Sequence, residues 1–238
     1  MIYIFNRTRR AHSLSWLVND MHSHILPGID DGCKDMQQST MLLDRMQELG
    51  FSGCYFTPHI FKELYPNNMS TISAAFDSCT HVLAKGYAAE YMMDHAFGQL
   101  VEQQQPLLTL PGRRVLLEMS CQQPNKQLDS ILFELQVCGY KPVMAHPERY
   151  IYYQKDLKAV RRLRDRGCEI QVNLLSLLGH YNREQRNAAL RLKEWGLIDF
   201  LGSDVHHERQ VQTLERALQR RDLFSYFKPC KIRNPELV

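Results

Sequence analysis

Metal-binding side chains follow nearly every apolar, strand-like run of this 238-residue chain. For example, the run at 54–56 is followed directly by Thr57, Pro58 and His59. Six runs share this order of apolar residues and then an imidazole or a carboxylate, and the residues that end them are Asp20, His22 and His24; His59; Glu90; Glu118; His146; and Asp204 and His206. In a parallel α/β barrel, every strand delivers its last residues to the same mouth. These six strand ends therefore predict a barrel whose mouth carries a metal centre.

Segments with helical periodicity lie between these runs. Asp35 is the expected N-cap of the first helix, which would place Met41, Leu42 and Met46 on one side, and Ser70 is expected to open the second helix. A glycine just past a helix adopts the left-handed conformation at little steric cost. Five glycines are expected to end helices in this way, namely Gly50, Gly86, Gly139, Gly167 and Gly196.

This alternation predicts seven strands, near residues 16–20, 53–57, 87–91, 114–119, 141–146, 169–174 and 198–203. Strands that alternate with helices through short connections form a parallel sheet. A doubly wound open sheet is the alternative, and it would gather its ligands at one switch point. Because ligands from six strands need a ring, we expect a barrel in one domain spanning residues 16–238, with residues 1–15 as an N-terminal extension.

Composition excludes several classes of protein. The net charge of +3 comes from 29 basic and 26 acidic residues, which is too balanced for a nucleic-acid-binding protein. No stretch approaches the roughly 18 consecutive apolar residues of a membrane span. The apolar start at 1–5 precedes arginines, which reverses the order of a secretory signal. The seven cysteines have no paired spacing, so we expect a protein of the reducing cytoplasm.

Two short motifs point to metal binding, and each has an ordinary structural alternative. In Asp20-x-His22-x-His24, a spacing of two points both imidazoles to the same face of a strand. A pair of buried structural histidines would have the same spacing. The loop at 27–32 carries Asp30 and Asp31 between glycines, but Asp-Gly is also a common turn pair.

With an aspartate from this loop, the candidate ligands number nine, namely His22, His24, Asp31, His59, Glu90, Glu118, His146, Asp204 and His206. Imidazole and carboxylate without thiolate suit Mn²⁺, Fe or Zn²⁺. Nine ligands exceed the needs of one ion, so we expect two or three ions that share a bridging carboxylate.

Two arginines and the absence of three sequence motifs narrow the reactions that this chain could catalyse. Arg149 and Arg209 each lie three residues beyond a candidate histidine, and the planar guanidinium matches phosphate oxygens, although either could be an ordinary surface residue. The Cys-x5-Arg loop of thiol phosphatases, the P-loop and the G-x-G-x-x-G fingerprint do not occur. A phosphatase of this composition would use a metal-activated hydroxide as its nucleophile.

Six segments resemble the PHP (polymerase and histidinol phosphatase) phosphoesterases, and more closely the bacterial tyrosine phosphatases of capsule and exopolysaccharide operons, the CpsB/YwqE type. The segments are 20–32, 56–59, 89–91, 117–120, 145–150 and 202–209. The resemblance implies a distorted (β/α)7 TIM-like barrel with a trinuclear, usually manganese-dependent centre. It assigns ligand positions to the nine candidates, with Asp31 preferred over Asp30 and Glu90 as the bridging carboxylate. It also implies a catalytic role for Arg149 and Arg209, as phosphate-binding residues, and for Asp204 and His206.

By this resemblance, the chain is expected to hydrolyse phosphotyrosine in a protein, with a tyrosine autokinase of polysaccharide export as the expected partner. One alternative is a phosphatase of the same fold for a small molecule such as histidinol phosphate. The other is a metal-bound protein that binds phosphopeptides without turnover. The oligomeric state and the role of residues 1–15 are not indicated by the sequence.

Overall fold

The computed structural model describes residues 12–238. Most of the predicted N-terminal extension therefore lies outside the described residues. Its last part packs against the body of the protein, because Leu14 is fully buried and its backbone N–H donates to the carbonyl of Leu49 at 2.8 Å.

Nine β-strands in the described residues form two parallel sheets. The three-stranded sheet has the order β1 (Asn19–Asp20), β2 (Gly53–Phe56), β4 (Ala84–Tyr87). The six-stranded sheet has the order β3 (His59–Ile60), β5 (Glu90–Met92), β6 (Arg114–Glu118), β7 (Lys141–Met144), β8 (Glu169–Asn173), β9 (Phe200–Gly202). Parallel pairing throughout requires crossover connections, and helices supply most of them.

Ten α-helices lie in the described residues: α1 (Met36–Glu48), α2 (Met69–Asp77), α3 (His95–Glu102), α4 (Leu128–Val137), α5 (Ile151–Lys155), α6 (Lys158–Asp165), α7 (Leu174–Leu178), α8 (Arg183–Glu194), α9 (Glu208–Arg220) and α10 (Leu223–Phe227). Short 3-10 helices occupy Ser15–Leu17, Pro147–Arg149 and Asn234–Glu236. The predicted parallel α/β class is therefore confirmed.

Helix α1 begins as predicted, because the Asp35 side chain accepts a hydrogen bond from the backbone of Gln38. Of the side chains predicted to face inward, Leu42 and Met46 are buried, whereas Met41 is exposed. Helices α1, α4, α6 and α8 are each followed by a glycine with positive φ, as expected at Gly50, Gly139, Gly167 and Gly196.

The prediction for α2 was wrong at both ends. Asn68, not Ser70, is the N-cap, because its side chain accepts from two backbone N–H groups while Thr71 accepts from the N–H of Asn68. The helix ends at Asp77, and Gly86 lies inside β4 instead of capping a helix. A Cβ at Gly86 would lie 3.3 Å from the ring of Tyr55 on the neighbouring strand, so close strand packing explains this glycine.

Three predicted strands are shorter or interrupted. The 3-10 helix Ser15–Leu17 replaces the first half of the strand predicted at 16–20. The run predicted at 87–91 is divided between β4 and β5, and β2 is separated from β3 by Thr57 and Pro58. Proline has no N–H to donate to a sheet ladder, so the second interruption has a direct cause.

The two sheets are joined in two places. The chain segments of β2 and β4 continue into β3 and β5, and between these strands Phe56 accepts from the N–H of Ala88 and Pro58 accepts from the N–H of Glu90. Just past the edge strands β1 and β9, Ser23 forms a parallel bridge with Val205. The result is a curled half-barrel of parallel strands within one α/β unit, with nine strands in two sheets where the sequence predicted seven strands in one barrel.

Successive residues of the strands face two separate apolar cores. On β6, Val115 and Leu117 belong to the large core beneath the helices, whereas Leu116 belongs to a smaller core with Val143 and Phe200. Because side chains alternate along a strand, Glu118 lies on the same face as Leu116. The concave face of the strands is thus apolar in its middle and polar at its carboxyl end.

Candidate metal centre

The carboxyl ends of the strands bring all nine predicted ligands together. Candidate ligand atoms form three groups, and within each group all atoms lie within 4.8 Å of one another. The groups are His24, Asp31, His59 and His206; His22, His24 and Glu90; and His59, Glu90 and Glu118. His146 joins them through Nε2, which is 2.9 Å from Oε1 of Glu90. Asp204 joins through Oδ1, which is 3.5 Å from Nε2 of His22.

Glu90 lies at the centre of the cluster. Its Oε2 atom is 3.3 Å from Nε2 of His22, 3.4 Å from Nε2 of His24 and 3.2 Å from Nδ1 of His59. The carboxylate is fully buried, and Oε2 accepts no hydrogen bond from any described residue. A buried carboxylate oxygen without a donor is costly unless a cation binds it.

The imidazoles also face one another in a way that suits cations. Nε2 of His22 and Nε2 of His24 are only 3.1 Å apart, and both point at Glu90. Nitrogen lone pairs that converge with a carboxylate make the donor set of a Mn²⁺, Fe or Zn²⁺ site. On this chemistry, the residues fit the predicted metal centre.

The loop before α1 uses its two aspartates differently. Oδ1 of Asp31 is 3.5 Å from Nε2 of His59 and 3.4 Å from Nε2 of His206, so Asp31 lies among the ligand atoms. Asp30 instead accepts from Nδ1 of His24 at 2.7 Å. A carboxylate on the far nitrogen of a ligand histidine fixes its orientation and raises its basicity.

Gly32 is required by the same loop. A Cβ at this position would lie 1.7 Å from the carbonyl oxygen of His24. The loop that carries Asp30 and Asp31 therefore passes so close to the backbone of His24 that only glycine fits.

Strand β8 carries no predicted ligand, yet it positions three of them. Oε1 of Gln171 is 3.1 Å from Nδ1 of His22 and accepts from the backbone N–H of His146 at 3.2 Å. Asn173 donates through Nδ2 to Oδ2 of Asp204 at 2.7 Å. Sequence reasoning missed both amides, although polar residues at a spacing of two on an otherwise apolar strand were a usable signal.

Two ligands have a left-handed backbone. The φ angles of His146 and Asp204 are 30° and 53°, a conformation that residues other than glycine rarely adopt. Such strain persists where the surroundings over-determine it, as they do at functional sites. Each residue lies two positions past the end of a strand, His146 after β7 and Asp204 after β9.

The two predicted phosphate-binding arginines differ in placement. Nη1 of Arg149 donates to Oδ2 of Asp204 at 2.7 Å, and its guanidinium lies over the ring of Tyr181 with 5.4 Å to the centroid. Arg149 also lines the cavity above the cluster. Arg209 is exposed on α9 and is absent from that cavity lining, so its geometry offers no support for the predicted role.

The acids and imidazoles of the cluster shift one another's pKa values. Burial alone would raise the pKa of Glu90, but the imidazoles of His22 and His59 hold it well below its usual range. Burial and the charge of Glu90 raise the pKa of Glu118 well above its usual range. Burial and the neighbouring His24 lower the pKa of His59 to about 4. Glu90 and Glu118 thus respond in opposite directions, because the imidazoles stabilise the charge of Glu90 and the charge of Glu90 opposes that of Glu118.

The cavity above the cluster has a volume of about 250 Å³. Its lining combines candidate ligands and Arg149 with apolar and aromatic residues, namely Phe61, Leu64, Tyr65 and Met92. The backbones of Phe61 and Tyr65 form hydrogen bonds with each other, and these close a short loop. The ring of Tyr65 is stacked on His59 at 5.4 Å between centroids.

The fold and the cluster together define an α/β protein with a candidate metal centre at the carboxyl ends of its strands. A family model described as "Capsular polysaccharide synthesis, CpsB/CapC" matches residues 18–237. The chain therefore belongs to the CpsB/CapC family.

Named relatives agree with this assignment. The chain is 28% identical to the tyrosine-protein phosphatase YwqE of Bacillus subtilis (strain 168) over 195 residues, which are 79% of this chain and 77% of the relative. It is 29% identical to the tyrosine-protein phosphatase CpsB of Streptococcus pneumoniae over 202 residues, which are 79% of this chain and 82% of the relative.

A solved structure is similar over nearly the whole chain. It belongs to work on YwqE from Bacillus subtilis and CpsB from Streptococcus pneumoniae, described as unique metal-dependent tyrosine phosphatases. The TM-score is 0.78 at 26% identity, over 92% of this chain and 90% of the other. Within residues 12–238, no helix has the length and apolar character to cross a bilayer.

Proposed function

We propose that this protein is a metal-dependent protein-tyrosine phosphatase. The observation that carries the proposal is the convergence of imidazoles and carboxylates on the buried Glu90, in a chain whose named relatives are tyrosine phosphatases. A Cys-x5-Arg nucleophile is absent from the sequence, so the chemistry has to come from the cluster.

The nine ligands would hold two or three ions, with Mn²⁺ favoured and Fe or Zn²⁺ as alternatives, and Glu90 would bridge them. Such ions lower the pKa of bound water from 15.7 toward about 7 and neutralise phosphoryl oxygens. The chain contributes orientation. Asp30 and Gln171 hold the rings of His24 and His22, and Asn173 holds Asp204.

Arg149 would bind the phosphoryl group. Its guanidinium is fixed from two sides, by the carboxylate of Asp204 and by the ring of Tyr181, and it is directed at the cavity. A preoriented guanidinium stabilises the charge on equatorial oxygens without reorganising during the reaction. The tyrosyl leaving group has a pKa of about 10 and therefore requires little protonation.

The apolar side of the cavity favours an aryl phosphate. Phe61, Leu64 and Met92 line the same space of about 250 Å³ as the candidate ligands, and this mixed lining fits a phosphorylated ring better than a polar alkyl chain. A phosphotyrosine presented on a protein segment would place its ring against this wall and its phosphate on the ions.

Three finer points belong to the same proposal. The two sheets, which are joined through β2 and β4 and bridged between Ser23 and Val205, would act as one distorted (β/α)7 barrel. The protein would work in the cytoplasm, consistent with its unpaired cysteines. The phosphoprotein would be a tyrosine autokinase of capsule or exopolysaccharide synthesis, in keeping with the family description.

Turnover of a phosphotyrosyl peptide, measured together with the metal content of the purified protein, tests the proposal. We expect Mn²⁺-dependent release of phosphate that chelation abolishes. A strong preference for histidinol phosphate would indicate a small-molecule phosphatase. Tight binding of the phosphopeptide without turnover in Mn²⁺ would contradict an enzymatic role.

A further inference from the structure

A groove outside the metal centre is lined by arginines. It lies between the segment that follows α7 and the outer face of α9, and its volume is about 410 Å³. Its lining includes His180, Thr213, Arg216, Arg220 and Arg221. Nδ1 of His180 is 3.0 Å from the hydroxyl of Thr213, and this contact joins the two walls at one end.

The arginines of this groove have no carboxylate partner, whereas seven of the other thirteen arginines in residues 12–238 have one. Seven arginines have a carboxylate oxygen within 4.0 Å, namely Arg45, Arg114, Arg149, Arg162, Arg164, Arg166 and Arg233. Among the described residues, Arg216, Arg220 and Arg221 are in no such pair, and all three are exposed. Asp222 is next in the chain, but its carboxylate accepts from the backbone and hydroxyl of Ser225.

Helix α9 separates its charges by face. Glu208 and Glu215 both bind Arg45 of α1, at 3.0 Å and 2.6 Å. Arg216 and Arg220 are one turn apart on the groove side, where like charges at this spacing destabilise a helix. The acidic residues of α9 are therefore paired with Arg45, and they do not neutralise the positive charge of the groove.

The groove begins close to the catalytic cavity. Tyr181 follows His180, and its ring supports the guanidinium of Arg149. Helix α9 begins two residues after the candidate ligand His206. At 1.5 Å per helical residue, Arg216 and Arg220 lie about 12 and 18 Å along α9 from its first residue. An extended peptide at about 3.3 Å per residue spans that distance in about four to six residues.

We propose that this groove binds an acidic stretch of the polypeptide substrate, about four to six residues from the phosphotyrosine. The link to phosphotyrosine rests on the proposed function, whereas the preference for an acidic peptide rests on the groove alone. A peptide fits better than a nucleic acid, because Leu178 and Ala217 add apolar surface to the lining and the net charge of the chain is only +3.

Two matched phosphotyrosyl peptides test the proposal, one with three aspartates at positions four to six from the phosphotyrosine and one with asparagines there. The test variant is Arg216→Gln with Arg220→Gln. The control variant, Lys158→Gln with Arg162→Gln on the exposed face of α6, removes the same charge elsewhere. We expect kcat/KM for the acidic peptide to fall about fivefold to tenfold in the test variant, by the scale of two exposed ion pairs. Activity on the neutral peptide, and of the control variant on both peptides, should stay within about twofold.

An equal loss in both double variants, or no loss in the test variant, would overturn the assignment. Fluorescence anisotropy with the unphosphorylated acidic peptide separates this outcome from failure of the phosphatase proposal, because it requires no turnover. Binding should weaken in the test variant alone and should decline at high salt. A single-stranded oligonucleotide that competes for the site as well as the acidic peptide would also reject the peptide assignment.

Discussion

The two ends of the parallel strands bury charge in opposite ways. At the amino end, Arg114 of β6 is 2.7 Å from Glu169 of β8, and Glu169 is also 2.6 Å from Arg233. Both guanidiniums lie over the ring of Phe200, at 5.1 and 5.4 Å from its centroid. At the carboxyl end of β6, Glu118 joins a cluster of acids and imidazoles.

This difference suggests that the amino ends of the strands contribute to stability and the carboxyl ends to catalysis. The amino end satisfies its own charges with fitted ion pairs, so it contributes to folding without any ligand. The carboxyl end leaves a buried oxygen of Glu90 without a donor and holds two ligands with strained backbones. Parallel barrels divide their ends in this way, with function at the carboxyl end and stability at the other. Substitutions at the two ends should therefore affect different measurements.

The largest effect is expected at Glu90. Glu90→Gln keeps the shape but removes the charge at the centre of the cluster, so the protein should lose bound metal. We expect kcat/KM to fall on the order of 10³-fold, because the site loses its ions and, with them, the charge stabilisation that they supply. Metal analysis and phosphopeptide kinetics measure this. If the Glu90→Gln variant kept its metal and its rate, Glu90 would not be at the centre of the mechanism.

The opposite end gives the next largest effect, and it is an effect on stability. Arg114→Met should lower the free energy of unfolding by about 3 kcal/mol, because Glu169 loses the buried one of its two arginine partners. Denaturant unfolding with saturating Mn²⁺ measures this. Metal content and kcat/KM of the folded variant should match those of the unmodified protein. If they fell together with stability, the two ends would not be independent.

Arg149 tests a side chain at the carboxyl end that touches substrate and not metal. Arg149→Ala should reduce kcat/KM about 10²-fold while the metal content is unchanged, because its contact is to the outer oxygen of Asp204. Arg209→Ala is the matched control. Its side chain is exposed and lies outside the cavity lining, so it should change kcat/KM by less than about twofold. A large loss in the control would restore the phosphate-binding role predicted from sequence.

Sequence alone predicted which side chains converge better than it predicted the arrangement of the strands that carry them. Apolar runs that end in His, Asp or Glu are a local signal, because a strand fixes which way its last side chains point. The division of the strands into two sheets depends on contacts between distant segments, such as Ser23 with Val205, and no local pattern encodes these. The cap at Asn68 was missed because Ser70 offers the same chemistry two residues later.

Residues that hold the ligands were the hardest to predict. Gln171 and Asn173 lie on a strand without a ligand, so their role emerges only when β8 is placed beside β7 and β9. Asp30 and Asp31 are adjacent in the chain, and only the course of the loop separates a ligand position from a carboxylate that orients His24. Arg209 shows the converse, because a plausible spacing from His206 does not direct the side chain into the cavity.

The smallest effect is expected at the apolar wall of the cavity, and it distinguishes the ring from the phosphate. Leu64→Ala should weaken inhibition by phenylphosphonate about fivefold, because burying about 40 Å² of ring surface contributes about 1 kcal/mol. Inhibition by methylphosphonate should be unchanged, and since neither compound is hydrolysed, leaving-group chemistry does not enter. Val82→Ala is the control, because Val82 is 67% exposed and Leu64 65%, but only Leu64 lines the cavity. Equal weakening of both inhibitors would assign Leu64 to the shape of the metal centre instead of to recognition of an aryl group.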